Sequence, residues 1–261
     1  MSDSVLYSVA DSVATIVLNR PQVMNALDAE MIGRLREAAE RVERDAAVRT
    51  VVVRGEGAAF CAGGDVTAFR ASLARVPALV REVAGDLHHA VLALRRAPKP
   101  VLASVQGAVA GAGVSLMAAA DLAIAADGTK FTLAYSRIGT SPDGGATHSL
   151  PRLVGYRKAL ELMLLTDTFD AQMALRLGLV NWVVGAERLA AETDTIARRL
   201  AEGAMAAFGE TKRLVYQSTD QTLAAQLDAE VEAFARCAGT RDFAEGVTAF
   251  VEKRKPNFKG E

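Results

Sequence analysis

The segment SPDGGATHSLPRLVG (141–155) holds one carboxylate, Asp143, between Pro142 and the pair Gly144–Gly145. Pro-Asp-Gly suits a type I turn, with proline setting φ and glycine following at little steric cost. Read alone, the segment favours that turn; the alternative is an acid/base that moves a proton. Two further stretches, AFCAGGDV (59–66) and VAGAGVSL (109–116), share a layout. Each follows an apolar strand, is built of small residues and opens a helix. The first turn of a helix leaves backbone N–H groups unpaired at a partly positive end, and small residues let a ligand approach that backbone closely. One such turn could hold a phosphate. Two facing turns could direct two N–H groups at one oxygen, as an oxyanion hole. Gly111-Ala112-Gly113 also reads GxG, but Leu116 breaks the GxGxxG dinucleotide fingerprint, and no Gly-Lys-Ser/Thr phosphate loop occurs. Cys61 reads as a small buried hydrophobe, since no histidine lies near it in sequence.

These stretches need elements to hold them. VLYSVA and VATIVLNRP read as two short strands joined at Asp11-Ser12. Asp28 caps a helix whose apolar face is Leu27, Met31, Leu35, Ala39 and Val42. RTVVVRG, PKPVLASVQG, DLAIAAD and GLVNWVV read as apolar strands, and residues 78–96 as an amphipathic helix. Strand, glycine turn and helix recur from about 50 to 127, which predicts an α/β fold with sheets covered on both faces. Residues 186–254 read as wholly helical.

Composition bounds the rest. The chain has 261 residues, 51% of them hydrophobic, enough for a large core. Thirty basic and 31 acidic residues leave a formal charge of −1, which gives no polyanion-binding surface and argues against nucleic acid as the main partner. Two distant cysteines and three histidines form no metal-ligand spacing, so no metal is expected. The N-terminus lacks a basic start followed by an apolar run. The most apolar stretch, 107–127, is interrupted by Ser115 and Asp121. A cytoplasmic protein without a membrane span is the expectation.

Six stretches occur in order: NRPQVMNAL (19–27), AFCAGGDV (59–66), VQGAVAGAGVSLMAAADLAIA (105–125), IGTSPDGGATHSLPRLVG (138–155), FDAQMALRLGLVNWVV (169–184) and EGVTAFVEKRKPNFKG (245–260). Together the chain resembles the enoyl-CoA hydratase/isomerase, or crotonase, superfamily from end to end. The resemblance implies a superhelix of ββα units, here residues 1–197, carrying a coenzyme A thioester site, and a helical region, 198–261, that supports homotrimers or hexamers. It implies an oxyanion hole from the N–H groups of Gly64 and Ala112, and assigns Ala62 and Asp65 to coenzyme A, Ala62 by its backbone at the adenine end. Phe250 and Lys253 would come from a neighbouring subunit. No separate cofactor is implied, because coenzyme A is part of the substrate. Val23 and Met24 stand where relatives carry a basic pair, so one cation near the phosphates is missing.

Hydratases of the family use two glutamates. The corresponding positions are Ser115 and Tyr135, neither a general base near neutral pH. Ser115 reads as a small packed residue and Tyr135 as a pocket wall. Asp143 remains, after the proline where isomerases of the family carry an acid. The resemblance therefore implies an enoyl-CoA isomerase, with a hydratase-like lyase, another thioester enzyme or a non-catalytic acyl-CoA binder as alternatives. His148, one turn beyond Asp143, and the pair His88–His89 read as surface or packing residues.

Overall fold

The computed structural model describes residues 3–71 and 73–261. Strands β1 (Val5–Ala10) and β2 (Val13–Leu18) form an antiparallel hairpin whose turn places Asp11 and Ser12 at positive φ. Helix α1 (Ala29–Arg44) starts at Asp28, whose carboxylate accepts from Met31 N at 2.8 Å. This cap satisfies an otherwise unpaired donor. The helix buries Met31, Ile32, Leu35, Ala38, Ala39 and Val42, and Arg41 and Arg44 sit at its negative end. Then follow β3 (Thr50–Gly55), α2 (Val66–Ala71), α3 (Val76–Arg96), β4 (Val101–Val105), β5 (Ala108–Ala110), α4 (Ala112–Ala119), β6 (Leu122–Ala126) and β7 (Lys130–Thr132). Beyond the segment around Asp143 lie α5 (Ala146–Val154), α6 (Tyr156–Leu165), β8 (Phe169–Asp170), α7 (Ala171–Arg176) and β9 (Trp182–Val184). The chain ends in α8 (Leu189–Ala201), α9 (Met205–Gln217), α10 (Leu223–Ala238) and α11 (Arg241–Glu252).

The main sheet runs β1-β2-β3-β4-β6-β9, parallel except for the first pair. Its central strands are apolar on both sides because both faces are covered. On one face Val101, Ala103, Val105, Ala123 and Ala125 join the main core with α1 and α3. On the other, Leu102, Ile124 and Ala126 pack against Leu189 and Ile196 of α8. A second sheet, β5-β7-β8, was not legible in the sequence. Isolated bridges link Leu27 to Gly64 and Cys61 to Val109.

The expected boundary at residue 197 falls within α8, which continues to Ala201 against the main sheet. Helices α9 to α11 then pack in series. They reach the core through a buried ion pair. Lys212 Nζ lies 2.8 Å from Asp121 Oδ2, with side chains only 8% and 16% exposed. Tyr216 donates to Asp121 Oδ1 at 2.6 Å, and Lys212 also donates to the Leu94 and Lys99 carbonyls. Lys212→Ala would leave Asp121 buried without its cation. We expect it to cost about 3 kcal/mol, read as a lower urea midpoint.

Candidate active site

The two glycine turns lie side by side because their backbones are hydrogen-bonded to each other. Cys61 N donates to Ala108 O at 3.1 Å and Ala110 N to Cys61 O at 2.9 Å. Side chains are excluded from the contact: a Cβ on Gly113 would overlap the Cys61 carbonyl, and one on Gly63, at φ +101°, would lie 3.1 Å from Ala110 O. The first turn is pinned from its other side, where Leu27 N donates to Gly63 O (2.8 Å) and Asp65 N to Leu27 O (2.9 Å). Between these bonds the N–H of Gly64 donates to no described residue. Nor does that of Ala112, the first residue of α4.

Asp143 approaches from the other side. It is half-buried, and its turn differs from the expected type I turn over Pro142-Asp143-Gly144. Ala146 N donates to Asp143 O at 3.2 Å, and the central residues Gly144 and Gly145 have φ of +59° and +85°. Asp143 is thus the first residue of a turn of the mirror type, which two adjacent glycines permit. The glycines also admit Ser115, since a Cβ on Gly144 would lie 2.9 Å from Ser115 Cβ. Ser115 Oγ donates to the Asp143 carbonyl (2.8 Å) and lies 3.1 Å from the Tyr135 hydroxyl. Tyr135 donates to Asp143 Oδ1 at 2.7 Å. Burial first, then the neighbouring carboxylate, raise the Tyr135 pKa, so the phenol keeps its proton and remains a donor.

Gly64, Ala112 and Asp143 line one cavity of about 330 Å³, walled by Leu27, Ile32, Phe69, Leu79, Val83 and Leu87. Asp28, Glu30 and Asp65 also reach it, but each is engaged by a cation. Arg20 bridges Asp28 (3.1 Å) and Asp65 (3.3 Å), and Arg34 holds Glu30 (3.1 Å). Asp65 also accepts from the Thr67 hydroxyl, which with Arg20 lowers its pKa. Asp143 is the one cavity carboxylate with no cation partner among the described residues. No cluster of three or more metal-ligating side chains occurs among the described residues, and no described helix is long and apolar enough to cross a membrane.

A sequence profile described as enoyl-CoA hydratase/isomerase matches residues 8–261. The chain belongs to the enoyl-CoA hydratase/isomerase family. It is 34% identical to trans-2-decenoyl-[acyl-carrier-protein] isomerase of Streptococcus mutans, covering 98% of each chain. It is 37% identical to 1,2-epoxyphenylacetyl-CoA isomerase of Escherichia coli over the full length of both. Among solved structures it superposes on an enoyl-CoA hydratase from Polaromonas sp. JS666 with a TM-score of 0.93 and 35% identity, covering 98% of this chain and 99% of that one. The crotonase fold expected from the motifs is therefore the fold of this chain.

Members of the enoyl-CoA hydratase/isomerase family are named for more than one reaction, so the placement of individual residues matters. The structure brings Gly64, Ala112 and Asp143 to one cavity, with Asp65 at its Arg20 side. Ala62 lies outside the cavity lining, in the first turn, its N–H donating to Met24 O at 2.9 Å. Phe250, 86% exposed, and Lys253, at the end of α11, are outside this cavity of their own chain. His148 is exposed on α5 and lines a different cavity. The sequence reading understated Ser115 and Tyr135, which hold the carbonyl and the carboxylate of Asp143. The signal was present as two hydroxyl residues where the family resemblance implies two hydratase glutamates.

Cys61 lies fully buried within the clamp, and burial pushes its thiol up to about 12. In a Cys237→Ser background a disulfide reagent at pH 8 should modify no thiol in the folded protein and one per chain after denaturation. Fast labelling of the folded variant would place Cys61 at an accessible surface instead.

Proposed function

We propose that the protein is an enoyl-CoA isomerase that moves a double bond from the Δ3 to the Δ2 position of a thioester. The observation that carries this reading is that Asp143, the one cavity carboxylate without a cation partner among the described residues, shares one cavity with two N–H groups that donate to no described residue. With the thioester oxygen at the N–H groups of Gly64 and Ala112, Asp143 takes a proton from C2. The electron pair moves onto the thioester oxygen, giving a dienolate, and the same carboxylic acid returns the proton at C4. No atom is added, and no cofactor beyond the coenzyme A of the substrate enters the balance. Each amide donor of such a hole contributes about 2.7–4 kcal/mol to lowering the barrier. Tyr135, bonded to Oδ1, orients the carboxylate and leaves Oδ2 for the substrate.

Hydration needs water activated at C3 and a proton delivered at C2, the work of two acids in hydratases of the family. Ser115 and Tyr135 replace both, and their hydroxyls are committed to Asp143 and each other. One relative is named for isomerising an enoyl thioester, trans-2-decenoyl-[acyl-carrier-protein], which supports bond migration, while others of similar identity are named hydratases.

The reading includes assembly into homotrimers or hexamers. Val215, Leu223, Leu227, Val231, Phe234 and Phe250 of the last three helices are exposed apolar side chains that a second copy would cover. In that arrangement Phe250 and Lys253 reach the coenzyme A of a neighbouring site, with Ala62 and Asp65 contributing from the chain that holds it.

Asp143→Asn should lower kcat for 3-enoyl-CoA by about 10²–10⁴-fold while acyl-CoA binding stays near that of the wild type. Wild-type product formed in ¹⁸O-labelled water should carry no label. Incorporated oxygen would instead assign a hydratase or hydrolase, and isomerisation unaffected by Asp143→Asn would remove Asp143 as the proton carrier.

A further inference from the structure

The amide of Ala112 and the carboxylate of Asp143 are carried by two helices, and one arginine outside the cavity bonds to both. Ala112 opens α4, which also holds Ser115. Asp143 leads through Gly144 and Gly145 into α5. Near the end of α4, the Ala118 carbonyl accepts from Arg95 Nη2 at 3.4 Å, and on α5 Ser149 Oγ accepts from the same nitrogen at 2.8 Å. Ser149 is buried, and its N–H donates at 2.9 Å to the carbonyl of Gly145, a central residue of the Asp143 turn. Arg95 is half-buried and does not line the cavity that holds Asp143.

Arg95 ends a stripe on α3. Leu87, Val91 and Arg95 are spaced at i, i+4 and i+8, so they share one face of the helix. A Cβ on Gly144 would lie 3.4 Å from Leu87 Cδ2, and one on Gly145 would lie 3.9 Å from Val91 Cγ1. The stripe therefore follows the turn and then α5. Apolar contact is non-directional, so Leu87 and Val91 do not fix where the turn sits along α3. A hydrogen bond has a direction and a length, and Arg95 supplies it. The guanidinium is itself placed from α9. It lies over the Tyr216 ring at 4.0 Å, and Tyr216 donates to Asp121 Oδ1 at 2.6 Å. Asp121 Oδ2 is spent on Lys212 and on Val101 N, both at 2.8 Å. Arg95 makes no ion pair with a carboxylate among the described residues. Its position is set by the ring face and by its planar fork, which a lysine would not reproduce.

Building on the isomerase reading, we propose that Arg95 is a positioning residue that clamps α4 to α5 and so sets the distance between the Ala112 amide and the Asp143 carboxylate. The test reads the clamp and its consequence separately. Amide hydrogen exchange and steady-state kinetics are compared for wild type, Arg95→Met, Ser149→Ala, the double variant and Arg96→Met. Arg95→Met keeps an unbranched stem and removes the fork, and Ser149→Ala removes only the acceptor. Arg96 is the exposed neighbour, and its variant should match wild type. In Arg95→Met, amides of residues 112–119 and 143–154 should exchange at least about tenfold faster while those of α1 stay within about twofold, because the loosening is local. Its kcat for a 3-enoyl-CoA should fall about 10²-fold, the cost of a displacement near 1 Å, with KM and the dissociation constant of unreactive butyryl-CoA within about threefold. Ser149→Ala should move exchange and kcat in the same direction by a smaller factor, and the double variant should be no slower than Arg95→Met, since both act through one contact. Unchanged exchange in Arg95→Met overturns the proposal. So does a rise spread equally over α1, α4 and α5, which is a loss of global stability, and so does local loosening with wild-type kcat. If the wild type moves no double bond, the isomerase reading fails, and the exchange pattern alone decides whether Arg95 holds the two helices.

Discussion

The site rests on the hydrogen-bonded contact between two glycine turns. Two backbones approach this closely only if neither carries a side chain at the contact, and Gly63 and Gly113 meet that condition against Ala110 and Cys61. The contact spends the N–H groups of Cys61 and Ala110 on each other's turns and leaves those of Gly64 and Ala112 unspent. Unpaired amides near a protein interior are unfavourable unless a ligand or water accepts from them. In the proposed reaction, amides held in place by such a backbone contact would stabilise developing charge without reorganisation. The surrounding order serves this contact: the Leu27 bridge holds one turn, and Gly111 N, donating to Thr132 O of β7, holds the other.

Much of this arrangement was legible in the sequence. The hairpin at Asp11-Ser12, the Asp28 cap, the apolar strands and the two glycine turns each carry a local signal: a period, a capping residue or a pair of small residues. The β5-β7-β8 sheet carried none, because strands of two or three residues are too short for alternation to register. The turn type at Asp143 was misread by weighting Pro142 over Gly144–Gly145, although an adjacent glycine pair favours two consecutive positive φ values. Tyr135 and Ser115 were seen as departures from an acidic pattern. What could not be read was their convergence on Asp143, because the three are 8 to 28 residues apart in the chain and meet only through folding.

The carboxylates around the cavity differ in charge environment. Arg20 ties Asp28 and Asp65 together where α1 begins, so these two are structural anions that fix the first turn against the helix. Removing either would free a partly buried guanidinium as well as a cap or a turn. Asp143 instead receives a neutral phenol. A neutral donor orients the carboxylate without placing a countercharge beside it. In the proposed reaction that difference matters, since the group must hold a proton in one step and release it in the next.

The loop also bears on why one acid and two acids are alternative solutions on this backbone. Ser115 is buried, with its Cβ against the space that a side chain on Gly144 would need and its Oγ within reach of both Tyr135 and the Asp143 carbonyl. A glutamate at position 115 would have to displace the Tyr135 hydroxyl or lift the Gly144 turn. Either move takes away what holds Asp143 in the cavity. In the proposed reading, Ser115, Tyr135, Gly144 and Gly145 together serve a single shuttling carboxylate.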